Sequence, residues 1–304
     1  MKQTFSFLAI LLLSLHGQLF AQKSWIRINQ LGYLPNSVKV AVLVSKEQLN
    51  VTEFELCEAL TDRVVWKAKT MHSFGAYAAF QSGFRLNFST FKQSGAYYVR
   101  AAGVRSPAFR IAADVYQGTA DFVLRYMRQQ RSGYNPFLKD SCHRQDGYAI
   151  YQPDSMQNGK FMDASGGWHD ASDYLQYVAT SANATYQLLF AYQQNPTSFG
   201  DTHDAAGHPK SNGIPDILDE AKWGLDWLAK MNPSKDVMFN QLADDRDHLG
   251  LRLPNKDFVV YNPQWGLGRP VYRVTGKPQG LFKYKNRTTG VASTAGKYAS
   301  AFAL

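Results

Sequence analysis

From Ser24 to Ala112 polar and apolar positions alternate in short runs. Trp25-Ile-Arg-Ile28 and Phe54-Glu-Leu-Cys57 alternate, and Val38–Val44 is rich in β-branched residues. Val64–Trp66, Gly83–Asn87, Ala96–Arg100 and Ala108–Ile111 continue the series, with turn residues between them at Leu34–Ser37, Gly75 and Ser94-Gly95. A period of two predicts strands, and about seven strands in about 90 residues predict a small sandwich of immunoglobulin type. Near residue 113 the period becomes helical. Helices are predicted over Tyr116–Gln129, Tyr174–Gln193, Ile214–Met231 and Thr288–Leu304, the third opened by Pro215 and closed at Asn232-Pro233. The loops between them are long and rich in Gly, Asp, Asn and aromatic residues, as loops that carry function are. The predicted architecture is therefore β then α: a sandwich over residues 22–112, then helices over 113–304 of the kind that build an α/α barrel. No Gly/Ser/Pro-rich linker separates the two.

Composition narrows the function. Of 304 residues 45% are hydrophobic and 19% charged, which excludes a disordered or low-complexity chain. The 17 Tyr, 19 Phe and 6 Trp fit either a sugar-binding surface or large cores. The formal charge of +9 comes from scattered Lys and Arg without a basic run, so no nucleic-acid partner is expected. Lys2, the apolar stretch Phe5–Leu15 and Ala21 read as a signal peptide over residues 1–21. No membrane-spanning segment is expected after it, so the protein is expected to be exported, periplasmic or secreted, and to act as a monomer. Cys57 and Cys142 are too few for a disulfide framework and are expected to be unpaired.

The chemistry concentrates in Gly166-Gly-Trp-His-Asp-Ala-Ser-Asp-Tyr174. Asp170 and Asp173, three residues apart at the predicted entry to a helix, can point into one cleft, where two ionised carboxylates hold a water and take its proton. An aspartate at a helix start is also a common N-cap, and spacing alone leaves both readings open.

The nonapeptide closely resembles the Gly-Gly-Trp-His-Asp-Ala-Gly-Asp-Tyr motif of glycoside hydrolase family 9, cellulases and related β-glucanases that invert anomeric configuration. Ile26-Arg-Ile-Asn-Gln-Leu-Gly-Tyr-Leu-Pro35 is similar to the opening strand of the family's immunoglobulin-like domain. Gln130-Arg-Ser-Gly133 with Cys142-His143, and Gly213–Trp227, resemble two further family segments. The resemblance implies an immunoglobulin-like domain followed by the first part of an (α/α)6 barrel. It implies cleavage of β-1,4-glucosidic bonds, with Asp173 as base and Asp170 helping to hold the water. Trp168 and His169 fall on motif positions that line or support the cleft and are the expected substrate-binding residues. Asp216, Asp219 and Glu220 fall on the signature helix and are read as structural. Ser172 stands where the family has Gly.

Some relatives hold a structural zinc, whose ligand positions are placed by the resemblance at Ser132, Cys142, His143 and Gln176. Only Cys142 and His143 are zinc donors there, so no zinc is expected. No other cofactor is expected; calcium occurs in some relatives, with no ligands assignable here. The family's general acid is a late glutamate. Glu220 is the last glutamate of the sequence, and Ala299–Leu304 is still apolar without a capping residue. The chain is therefore expected to be a fragment that lacks the acid and is inactive alone. Two other functions remain open: a non-catalytic glycan-binding module, and a polysaccharide lyase on an α/α toroid.

Overall fold

The computed structural model describes residues 22–69, 72–171, 173–277 and 290–304. The expected signal peptide and Ser172 lie outside the described residues. Contacts divide the chain into two compact units, one ending at Tyr116 and the other spanning Gln117–Leu304.

The first unit is a two-sheet sandwich. One sheet runs in the order β1 (Ser24–Arg27), β2 (Val40–Ser45), β6 (Ser82–Asn87), β5 (His72–Ser73). The other runs β4 (Val64–Ala68), β3 (Phe54–Glu58), β7 (Gly95–Ala101), β8 (Val104–Arg105), with β9 (Phe109–Ile111) also paired to β7. Alternation is visible in the packing. In β2 Ala41 and Leu43 are buried and Val42 is exposed; in β3 Phe54 and Leu56 face the core. Register sets Leu56 beside Val99 in one sheet and Leu43 beside Phe84 in the other, and all four side chains belong to the one core. Tyr33, Phe88 and Phe109 add edge-to-face and tilted ring contacts at 5.5–5.6 Å. Cys57 is buried here and unpaired.

The second unit contains, among the described residues, helices α1 (Thr119–Gln129), α2 (Val178–Gln194), α3 (Asp216–Met231) and α4 (Val291–Phe302). Helix α2 lies against α3 and α4. The long loops are not structureless. The hairpin β10 (Gly133–Asn135)–β11 (Asp140–Cys142) follows α1. A five-stranded sheet then gathers β12 (Tyr148–Ile150), β13 (Lys160–Phe161), β14 (Gln176–Tyr177), β15 (Phe239–Leu242) and β16 (Pro270–Arg273) in the order β13-β12-β16-β15-β14. All its pairings are antiparallel except β12–β16. Leu175, Val178, Trp227, Leu228, Met231, Phe239, Leu242, Val271 and Tyr298 make one core between this sheet and the helices. The Tyr298 hydroxyl, bonded to the carbonyls of Met231 and Phe239, ties α4 to it. No described helix is long and apolar enough to cross a membrane.

Candidate active site

The motif loop is held before it is exposed. Gly167 sits at φ +69°, and a Cβ there would lie 2.6 Å from Cγ of Trp227, so only glycine lets the loop reach α3. Trp168 then packs on α3 at Gly224, where a Cβ would stand 2.3 Å from its Cη2. Its indole N–H donates to Glu220 at 2.7 Å. Glu220 is fully buried and also receives Nη2 of Arg131 at 2.7 Å. Asp216 is equally buried, accepting from Arg128, Thr202 and His203. Asp219 accepts from Asn212. These three acids hold the helix and its neighbouring loops and do not face the Asp pair.

Asp170 and Asp173 do not start a helix. Between them and α2 lies β14, because Gln176 and Tyr177 pair with Leu242 and Gln241. The turn is closed by the N–H of Asp170 donating to the Leu175 carbonyl at 2.8 Å. Tyr174, at φ 59°, gives its carbonyl to the buried Arg269 and its hydroxyl to the Arg252 carbonyl. The fixed turn leaves Asp170 exposed and Asp173 half-buried. Oδ2 of Asp173 contacts Nε2 of His248, and its Oδ1 is buried without a partner among the described residues. His248 also lies 3.8 Å from Asp245. Burial, then the charges of Asp245, Asp173, Asp170 and Asp244, push the Tyr177 phenol far up. A cavity of about 520 Å³ opens on the Asp170 side of the turn, lined by Asp170, His169, Tyr174, Arg252 and Tyr126 among others.

His248 was not foreseen from sequence; it reaches Asp173 from the far end of β15's following loop, with no periodic signal around it. Behind it, Asp247 is fully buried, bonded to Tyr261 at 2.8 Å and paired with Arg252. Burial and the charge of Asp257 push its carboxyl up to about 6.

Trp168 and His169 are buried, at 4% exposure each, and both line small cavities beside Asp170. Trp168 is spent on Gly224 and Glu220. The ligand set changes. Gln176 bonds Arg269 and the Gly166 carbonyl, and His169 takes its expected place beside Cys142 and His143. One donor atom from each of the three lies within 4.8 Å of the others. Nε2 of His169 is 3.9 Å from Cys142 Sγ and 3.1 Å from Nδ1 of His143. Nε2 of His143 meets Asp257 at 3.0 Å, the carboxylate contact that commonly orients a metal-binding imidazole. The neighbouring Ser132 hydroxyl is buried without a partner among the described residues; Gly133, next in sequence, is the register partner of Cys142. Three donors are thus present where two were expected, but an alcohol in the fourth place does not complete the closed four-donor set of a structural zinc. Burial pushes the Cys142 thiol up to about 11 and the two imidazoles down, so the cluster is uncharged near neutrality.

Comparison with known proteins bears on the family. Residues 116–304 match the model of glycosyl hydrolase family 9, and residues 21–106 match the cellulase N-terminal ig-like domain. A xyloglucan-specific endo-beta-1,4-glucanase of Bacteroides ovatus is 29% identical over 222 residues, covering 69% of this chain and 37% of its own. Endoglucanase D of Acetivibrio thermocellus is 29% identical, covering 68% of this chain and 33% of its own. The solved structure of a metagenome-derived glycoside hydrolase family 9 endoglucanase superposes with a TM-score of 0.65 at 32% identity, over 83% of this chain and 47% of the other. The chain therefore spans only about a third of the length of these curated relatives.

Proposed function

The chain belongs to glycosyl hydrolase family 9, and on that premise we propose that the whole protein is an exported inverting hydrolase of β-1,4-glucosidic bonds in cellulose or related β-glucans. The observation that carries the reading is the fixed turn that presents Asp170 and Asp173 together, with one oxygen of Asp173 against His248 and the other unpartnered. Asp173 takes the proton of the water that attacks the anomeric carbon. Asp170 orients that water, and His248 holds the Asp173 carboxylate in its rotamer. Inversion also needs a protonated carboxyl about 6.5–9.5 Å from the base to assist the leaving oxygen. Asp247 is the one described carboxyl pushed up into the acid range, but it is fully buried and bonded to Tyr261 and Arg252, so it cannot reach that oxygen. The acid is not assigned to a described residue. The reading requires no nucleotide or redox cofactor.

The test is Asp173→Asn in the whole protein. Reducing-end release from soluble β-glucan should fall about 10²–10⁴-fold, the usual contribution of a general base, with the fold unchanged by circular dichroism. Near-wild-type turnover would remove Asp173 from the mechanism. Product from the unaltered protein should appear first as the α-anomer by NMR.

A further inference from the structure

A cavity of about 720 Å³ in the second unit has a lining of its own. Neither Asp170, Asp173 nor His248 lines it. Its volume falls in the range of small-molecule sites, and its lining is a specific mixture. Trp223, Phe161 and Tyr134 supply aromatic surface, and Asp163, Asp226 and Arg144 supply polar groups.

The aromatic groups are fixed in advance. The indole N–H of Trp223 donates to the Gly167 carbonyl at 2.8 Å, and the Arg131 guanidinium stands 4.3 Å from its ring centre. The Tyr134 hydroxyl is bonded to His208 at 2.8 Å. Phe161 is 56% exposed and meets Tyr148 edge-on, and Tyr148 stacks on Trp265. The wall between Asp163 and Gly166 is tied down by Lys230, which pairs with Asp163 at 2.9 Å and donates to the Ser165 carbonyl. Both lining carboxylates are already paired, Asp163 with Lys230 and Asp226 with Lys222, so neither is left as an uncompensated charge for a cationic ligand. Rigid rings for the C–H face of a pyranose, with carboxylate and guanidinium groups for its hydroxyls, match a neutral oligosaccharide.

We propose that this cavity is a second binding site for a neutral β-glucan oligosaccharide, separate from the hydrolytic centre. The choice of glucan rests on the proposed function. The site itself rests on Trp223 and its neighbours.

The probe is cellohexaose, titrated against protein carrying 5-fluorotryptophan, with the Trp223 line assigned by its loss in Trp223→Phe. That line should shift saturably. The double variant Phe161→Ala/Arg144→Ala, which alters only exposed side chains, should weaken the titration about tenfold. His248→Ala should leave it unchanged. Calorimetry of the same double variant gives the weakening independently of the assignment. A line that does not move at millimolar cellohexaose, an affinity indifferent to the double variant, or a shift abolished by His248→Ala would each overturn the proposal. Hydrolysis by Asp173→Asn is read on a different residue, so failure of the catalytic reading and failure of the second site are distinguishable.

Discussion

The two units hold their centres together by opposite means. The sandwich interior is apolar apart from Lys39, whose buried ammonium donates to the carbonyls of Pro35 and Ser37: Leu43, Leu56, Leu86, Val99 and Ile111 meet aromatic rings, and the ion-paired cluster of Glu55 with Lys67 and Arg100 stays at the surface. The second unit buries charge. Arg269 pairs with Asp146, Arg131 with Glu220 and Arg128 with Asp216, all at 4% side-chain exposure or less. A dry core is specified by many interchangeable contacts. A buried ion pair holds one particular loop in one place, which a turn presenting two carboxylates requires, and it fails badly when one partner is lost.

The largest effect should therefore come from Arg269→Ala. It strands Asp146 and frees the carbonyl of Tyr174 and the amide of Gln176 at once. Denaturant unfolding should show a loss of about 3–5 kcal/mol in the second unit, together with loss of hydrolysis in the whole protein. In the sandwich, Leu56→Ala should cost about 2–5 kcal/mol through an ordinary cavity, beside Val99. If Arg269→Ala proved milder than Leu56→Ala, the contrast between the two centres would fail.

Asp247 sharpens the contrast through pH. Its folded-state pKa, about 6, lies above its unfolded value, so the fold binds the proton more tightly. Its contribution to stability therefore grows as pH falls from about 6 to about 4, by at most about 3 kcal/mol. Asp257 works the other way: His143 and Arg252 hold its carboxyl low against burial, and its contribution is lost only in stronger acid. Asp247→Asn should flatten the stability profile between pH 4 and 6 measured by thermal unfolding. A profile identical to that of the unaltered protein would show that the buried carboxyl does not titrate there. The smallest effect belongs to Glu55→Gln. Lys67 first, then Arg100, draws that carboxyl's pKa down, but both cations are more than two-fifths exposed, so the cost should stay below about 1 kcal/mol and shrink in salt.

The same contrast explains what could be read in the sequence. Alternation in Val40–Ser45 and Phe54–Glu58 exposed the sandwich because each strand's own side chains decide which face is buried. The helices were legible from period, but their starts were not. The second begins at Val178, four residues later than expected, because β15 recruits Gln176 and Tyr177 into a sheet. That sheet was invisible: its strands are two to four residues long and their partners lie far along the chain. Asp170 and Asp173 were legible as a motif. His248, the Arg269–Asp146 pair and the placement of His169 beside Cys142 were not, since each is created by a tertiary contact between segments with no shared local signal.

The seat of Trp168 on Gly224 also bears on how such chains can be inherited. A side chain larger than hydrogen at 224 and an intact indole at 168 exclude each other, and Glu220 one turn earlier closes the same joint. The loop and the helix are thus a matched pair. A recombinant that takes residues 166–174 from one parent and 213–227 from another inherits a tongue without its groove, whatever the pedigree of either segment.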